Sequence, residues 1–275
     1  KDGNLFIKEA FKNGASLVVT DKLKNDKKQI KVKDTLKFLT EASTMLRENS
    51  ASKIIGITGS SGKTSLKELI GRSLNKICNA TYSPKSFNNK FGVPLSLFNL
   101  KKNDNFGVFE IAMDKKREIN FLSKIIKPDV GVITNISYAH IKNFENIKGI
   151  AQAKSEIIQN IKKDGYLVLN GDDHFYNFHK KIALKMKLKI ISFSIKNKSS
   201  NIYLNLIKKE KSKYKIFVNI NNLNKYFYLS TPYENDIKNL LATIAVISIF
   251  KDINKLDSDM FYKHQIPSGR GDVSQ

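Results

Sequence analysis

The feature that most constrains this chain is the eight-residue run Thr58-Gly59-Ser60-Ser61-Gly62-Lys63-Thr64-Ser65. It follows the short apolar stretch Ile54–Thr58 and precedes an amphipathic stretch from about Thr64 to Ile77. A strand, a glycine-bearing loop and a helix in that order form a phosphate cradle. The glycines let backbone N–H groups turn inward, and the helix N-terminus adds partial positive charge. Lys63 suits the β/γ-phosphates of a nucleotide, and the Thr64 hydroxyl suits magnesium. The usual pattern places glycine at position 57, where this chain has Ile57, and Gly59 sits closer to the second glycine. The loop is therefore a variant that binds ATP with magnesium.

The loop also sets the fold class. Further apolar runs recur at Phe106–Met113, Val130–Asn135, Tyr166–Asn170 and Leu188–Phe193, with helical spacing between most of them at about 93–99, 116–126 and 148–162. Strands alternating with helices predict an α/β fold with a mostly parallel, doubly wound sheet. Residues 202–229 alternate like antiparallel strands, and Asn235–Phe250 reads as a helix. Before the loop, Leu5–Ile7 and Leu17–Thr20 suggest a small α/β piece. Leu36, Leu39, Ala42, Met45 and Leu46 then mark a helix over 34–49. Two parts are expected: residues 1–48, part of an N-terminal domain with a linking helix, and residues 49–275, the nucleotide-binding domain. Lys1-Asp2-Gly3 looks like the middle of a longer protein.

Composition narrows the class. The chain has 275 residues and a formal net charge of +23. The lysines are spread along the whole length, and no aromatic-and-basic motif accompanies them. A compositional bias with solvated lysines is expected rather than a nucleic-acid partner. No apolar run reaches the roughly 18 residues of a membrane span. A single cysteine, Cys78, excludes an internal disulfide and fits a reducing cytoplasm.

Several residues break their local pattern. Glu110 interrupts an apolar run, where it either pairs with a lysine or binds metal. His140 follows the strand Val130–Asn135 and would face a crevice at the strand's carboxyl end, or else decorate a loop. Lys154 falls on the apolar stripe of Ile150 and Ile158, either snorkelling or standing in the site with a shifted pKa. Asn88 and Asn89 would contact a polar substrate or simply make a turn. Asp172 and Asp173 read as a turn and helix cap, and His174, His179 and His264 carry no site signal.

Together these stretches resemble the Mur ligases of peptidoglycan synthesis. The matching pieces are Asp2-Gly3, Leu5-Phe6-Ile7, Gly14-Ala15, Gly56–Thr64, Ser86–Leu97, Glu110, Thr134–His140, Ala151–Ile157 and Ser268–Val273. The stretch Ser86–Leu97 points within the family to the member that joins D-Ala-D-Ala to UDP-MurNAc-tripeptide. The resemblance implies that Gly59, Ser60, Ser61, Gly62, Lys63, Thr64 and Ser65 hold ATP. Thr64 and Glu110 would bind one magnesium ion, and His140 and Lys154 a second, with Lys154 carried as a carbamate. Asn88 and Asn89 would face the UDP-sugar substrate, while Asn239 and Arg270 would lie near the nucleotide. Asn235 and Asp236 stand where the family carries His and Asn. The resemblance also implies a cytoplasmic monomer that has no nucleic-acid partner, and a fragment lacking the family's C-terminal domain. A folylpolyglutamate-type ligase and a nucleic-acid-associated P-loop ATPase are the alternatives.

Overall fold

The structure is a computed structural model that describes residues 2–22, 28–138 and 143–262. His140, His264 and Arg270 lie outside the described residues. The elements run α1 (Ile7–Lys12), β1 (Val18–Thr20), β2 (Gln29–Lys31), α2 (Thr35–Glu48), β3 (Lys53–Thr58), α3 (Lys63–Asn75), β4 (Ala80–Tyr82), α4 (Gly92–Leu97), β5 (Phe106–Glu110) and α5 (Glu118–Ile126). They continue with β6 (Val130–Ile133), α6 (Ile147–Ser155), β7 (Tyr166–Asn170), α7 (Tyr176–Lys185), β8 (Lys189–Ser194), β9 (Ile202–Glu210), β10 (Lys213–Ile220), β11 (Leu223–Leu229) and α8 (Glu234–Ser248).

Nine strands form the main sheet in the order β11-β10-β9-β8-β7-β6-β3-β5-β4. Strands β3 to β9 pair in parallel, and β9, β10 and β11 pair antiparallel. The doubly wound parallel sheet expected from the alternation is therefore present, extended at one edge by a meander. A separate two-stranded parallel sheet joins β1 to β2.

Alternation along the strands sorts the core into two layers. Ile55 and Ile57 of β3 share a cluster with Leu66, Leu69 and Ile70 of α3 and with the buried face of α8. Ile54 belongs to the opposite cluster, with Ile119, Leu122 and Ile126 of α5 and Ile150 and Ile157 beyond the sheet. Gly56 permits that second packing: a Cβ there would meet Ile126 Cδ1 at 2.9 Å. Helices on both faces leave the carboxyl ends of the central strands open. From β3 the chain steps to the edge at β4, returns to β5, and then crosses to β6 on the other flank of β3. A crevice forms where the winding reverses.

The structure corrects several boundaries. The apolar run from Phe106 stops being a strand at Glu110. The helix expected over 116–126 starts at Glu118, because Arg117 takes a left-handed conformation with φ 73. The helix expected over 148–162 is α-helical only to Ser155 and continues as a 3-10 turn over Glu156–Asn160. Strand β4 and helix α7 were not expected. The first is three residues long, and the second buries only His179 and Ala183, too few apolar positions for a periodic signal.

Candidate functional site

The phosphate loop sits at the carboxyl end of β3, as its sequence context requires. Gly62 caps α3 with φ 77, in the left-handed region that favours glycine. Gly59 has φ 150, and a Cβ there would come within 1.9 Å of Thr134 Oγ1. The loop is braced from the end of β6. Ser60 N–H donates to Asn135 O at 2.9 Å, and Ser61 N–H donates to Asn135 Oδ1 at 3.0 Å. Thr134 Oγ1 donates to Ser61 O at 2.7 Å, and Asn135 Nδ2 donates to Ser61 Oγ at 2.7 Å. Ser137 N–H donates to Ser60 Oγ at 2.9 Å. Lys63 Nζ donates to Gly59 O at 2.8 Å, so the amine lies over the loop.

Thr64, on the first turn of α3, donates its hydroxyl to Glu110 Oε2 at 2.7 Å. Glu110 ends β5, where register pairs it with Ile57 beneath the loop. It is 1% exposed. Asn88 Nδ2 donates to the other carboxylate oxygen, Oε1, at 2.8 Å. Among the described residues the partners of Glu110 are hydroxyl and amide groups, and no lysine pairs with it. Asn89 has a different task. Its Oδ1 accepts from Phe91 N–H at 3.1 Å and Gly92 N–H at 2.9 Å, capping the turn into α4.

Lys154 lies on α6 among Ile150, Ile157 and Ile158 and is 1% exposed, so it does not snorkel. Burial is the larger cause, and the charge of Lys63 the second, that pushes its amine down to about 7. His179 is also buried, and its Nε2 lies 3.2 Å from Ala151 O of α6. Asp172 and Asp173 stand in a turn, as expected, but neither caps α7, whose N-cap residue Phe175 has no side-chain cap hydrogen bond. Asp172 accepts from Ser194 Oγ and Ile195 N–H, while Asp173 accepts from Phe175 N–H and Ile136 N–H.

A cleft of ≈ 1290 Å³ opens at the phosphate loop, and neither Thr64 nor Lys154 is among the residues that line it. Ser60 to Lys63, Ser65, Asn88, Asn89 and Glu110 line it, and α8 contributes Asn235, Asp236 and Asn239. Asn239 Oδ1 would lie 3.8 Å from a Cβ on Gly62, so the α8 amide stands beside the loop. Asp236 is engaged by the Thr231 hydroxyl. Lys116 and Arg117 reach the cleft from the turn before α5 and were not singled out in the sequence.

The donor set suits a nucleotide with magnesium. Thr64 and Glu110 are hard oxygen ligands in direct contact, and no group of three His, Cys, Asp or Glu gathers among the described residues. Magnesium needs few protein ligands, because it keeps waters and takes phosphate oxygens.

Residues 57–247 match the Mur ligase middle domain. The UDP-N-acetylmuramoyl-tripeptide–D-alanyl-D-alanine ligase of Buchnera aphidicola subsp. Baizongia pistaciae is 34% identical over 255 residues, which cover 90% of this chain and 54% of that protein. The crystal structure of MurF from Acinetobacter baumannii superposes with TM-score 0.86 at 26% identity, covering 98% of this chain and 59% of that one. MurF from Thermotoga maritima in complex with ADP gives 0.83 at 25% identity, covering 98% and 61%. The chain thus spans little more than half the length of these relatives.

Proposed function

The chain belongs to the Mur ligase family, and from that premise we propose that its protein uses ATP to join D-Ala-D-Ala to UDP-MurNAc-tripeptide in peptidoglycan precursor synthesis. The observation that carries the reading is the contact of Thr64 with the buried Glu110 directly under a braced phosphate loop. The named relatives support the choice of substrates, and the likeness to an ADP-bound neighbour supports the nucleotide. The proposed organisation assigns residues 49–275 to the nucleotide-binding domain and residues 1–48 to part of a sugar-nucleotide-binding domain. A cytoplasmic site of action fits these substrates. Among the described residues no helix is long and apolar enough to cross a membrane.

The chemistry is an amide synthesis in two steps. A carboxylate oxygen of the tripeptide attacks the γ-phosphorus of ATP, the bond to the bridging oxygen breaks, and ADP leaves with that electron pair. The amine of D-Ala-D-Ala then attacks the acyl carbon. It loses a proton, and the tetrahedral intermediate expels phosphate. Lys63 and the loop N–H groups neutralise charge on the transferring group and hold it in line. Asn239 stands on the nucleotide side of the loop. Asn88 and Asn89 line the cleft where the sugar-peptide enters, Asn88 also fixing Glu110. Thr64 and Glu110 would hold magnesium, which supplies Lewis-acid stabilisation of the phosphoryl oxygens when bound. Burial, and then the charge of Lys63, push the Lys154 amine down to about 7, toward the neutral form that carbamylation requires, in which its nitrogen would attack carbon dioxide and release one proton to leave a carboxylate-like group. His140 and Arg270 complete the proposed set from outside the described residues.

The test is phosphate release by the full chain, which should require ATP, UDP-MurNAc-tripeptide and D-Ala-D-Ala together. Lys63→Ala should lower kcat by about 10²–10³-fold, the usual scale for removing a charge-stabilising group. Glu110→Gln should weaken the response to magnesium. Release without either acceptor substrate, or near-wild-type ligation by Lys63→Ala, overturns the proposal.

A further inference from the structure

Helix α3 sends a second polar side chain into the interior, one turn beyond Thr64. Lys67 is 0% exposed. Its Nζ donates to Ser83 O at 2.6 Å and to Lys85 O at 2.6 Å, and it lies 2.9 Å from Glu68 Oε1. A fully buried lysine is rare unless its donors are used, and here two of them go to backbone carbonyls of a single turn. That turn is strained: Lys85 has φ 46, a conformation bulky residues seldom adopt without support. It leads directly to Asn88.

The hydrogen bonds close a ring. Thr64 and Lys67 sit three residues apart on α3, so they project on one side of the helix. Thr64 holds Glu110 Oε2, and Asn88 holds Glu110 Oε1. Lys67 holds the turn that carries Asn88, and Ser83 of that turn accepts from Glu110 N–H at 3.4 Å. The carboxylate is therefore fixed from both sides by one helix, directly on one side and through the turn on the other.

We propose that Lys67 is a positioning residue for the magnesium ligand Glu110, acting through the turn 83–88 and Asn88 rather than by touching nucleotide or metal. Lys67 is absent from the cleft lining, whereas Asn88 and Glu110 line it. The inference rests on the reading of Glu110 as a metal ligand. It assigns α3 two roles: cradling phosphate with its first turn and setting the metal carboxylate with its second.

The experiment measures ATP binding by the full chain at increasing magnesium concentration, together with metal-free ATP binding. Lys67→Met should leave metal-free ATP affinity unchanged and raise the magnesium requirement by about tenfold, the scale of losing a partner that orients a metal ligand. Asn88→Ala should produce the same shift, and the double variant should add little to either. A purely structural lysine would lower the melting temperature without moving the magnesium requirement. A wild-type magnesium requirement in Lys67→Met overturns the inference, and so do independent, multiplying effects in the double variant. If Lys67→Met does not fold, Lys67→Gln keeps two donors at shorter reach and should show a smaller shift in the same direction. No shift there overturns the inference equally. Glu110→Gln separates the two readings: an unchanged magnesium response removes the metal assignment and this inference together. A lost response with an unaffected Lys67→Met removes the inference alone.

Discussion

At the scale of single residues, Lys154 costs the fold what the site gains. An amine placed among Ile150, Ile157 and Ile158 loses its hydration, and Lys63 repels its proton, so the neutral form dominates above a pKa of about 7. The same lysine in the unfolded chain titrates near the ordinary value of 10.5. Between those values the unfolded chain binds more protons than the folded one, so stability rises with pH across that window. Below about pH 7 both states carry the proton and the cost is complete. Lys154→Met should therefore raise the melting temperature of the metal-free, carbon-dioxide-free protein by more at pH 7 than at pH 10, while abolishing ligation. Thermal unfolding at the two pH values measures this. An equal change at both, or a loss at pH 7, would show that the amine is not held neutral by the fold.

At the scale of elements, α2 meets the end of α5 through one buried cation, besides the exposed Glu48–Lys127 pair and the packing of Leu46 on the core. Arg47 is 2% exposed. Its Nε donates to Ile126 O at 2.6 Å and its Nη2 to Lys127 O at 3.0 Å, the last carbonyl of α5 and that of its C-cap residue. A cation there complements the negative end of the helix. Nη2 also lies 3.2 Å from Asp129 Oδ2, whose carboxylate additionally meets Lys53 and Lys162. Arg47→Leu would strand these carbonyls but leave Asp129 its other partners. A loss of about 3 kcal/mol is expected, at the low end for breaking a buried pair. Denaturant unfolding measures it, and a change below about 0.5 kcal/mol, the range of ordinary surface substitutions, would mean that α2 is held without the help of Arg47. This helix shows what the sequence can and cannot reveal. Its apolar spacing was legible because a helix repeats locally. The task of Arg47 was not, because its acceptors at the end of α5 lie 79 and 80 residues away. The site divides in the same manner. Gly59, Gly62, Lys63 and Thr64 were legible because strand, loop and helix are consecutive. The bracing of Ser60 and Ser61 by Thr134, Asn135 and Ser137 was not, because a fold must first set β6 beside β3. Glu110 stood out as a charge in an apolar strand, whereas Lys67 carried no signal among the many lysines of the chain.

At the scale of the whole molecule, the net charge of +23 poses the one question that the fold does not answer by itself. Nucleic-acid binding at such a charge would need a surface that tracks phosphates and offers aromatic faces for stacking. Among the described residues an aromatic group lies on the β10–β11 hairpin, where Phe217, Tyr226 and Tyr228 stand together. Lysines already cover those rings: Lys213 Nζ sits 3.5 Å from the centroid of Tyr228 and Lys215 Nζ 3.9 Å from that of Tyr226. The hairpin's outer edge is closed as well. Tyr228 N–H donates to Ser258 O, and Lys225 Nζ donates to the carbonyls of Ile253, Asn254 and Leu256. Rings occupied by their own lysines, on a capped edge, do not make a stacking platform. Adding single-stranded or duplex nucleic acid should thus leave the rate of phosphate release unchanged at moderate salt. Any association seen in dilute buffer should vanish steeply as salt rises, without regard to sequence, as expected for lysines that only exchange counterions. A several-fold stimulation of phosphate release by nucleic acid, without the sugar-peptide or the dipeptide, would instead make the charge functional and the cleft that of a nucleic-acid-dependent ATPase.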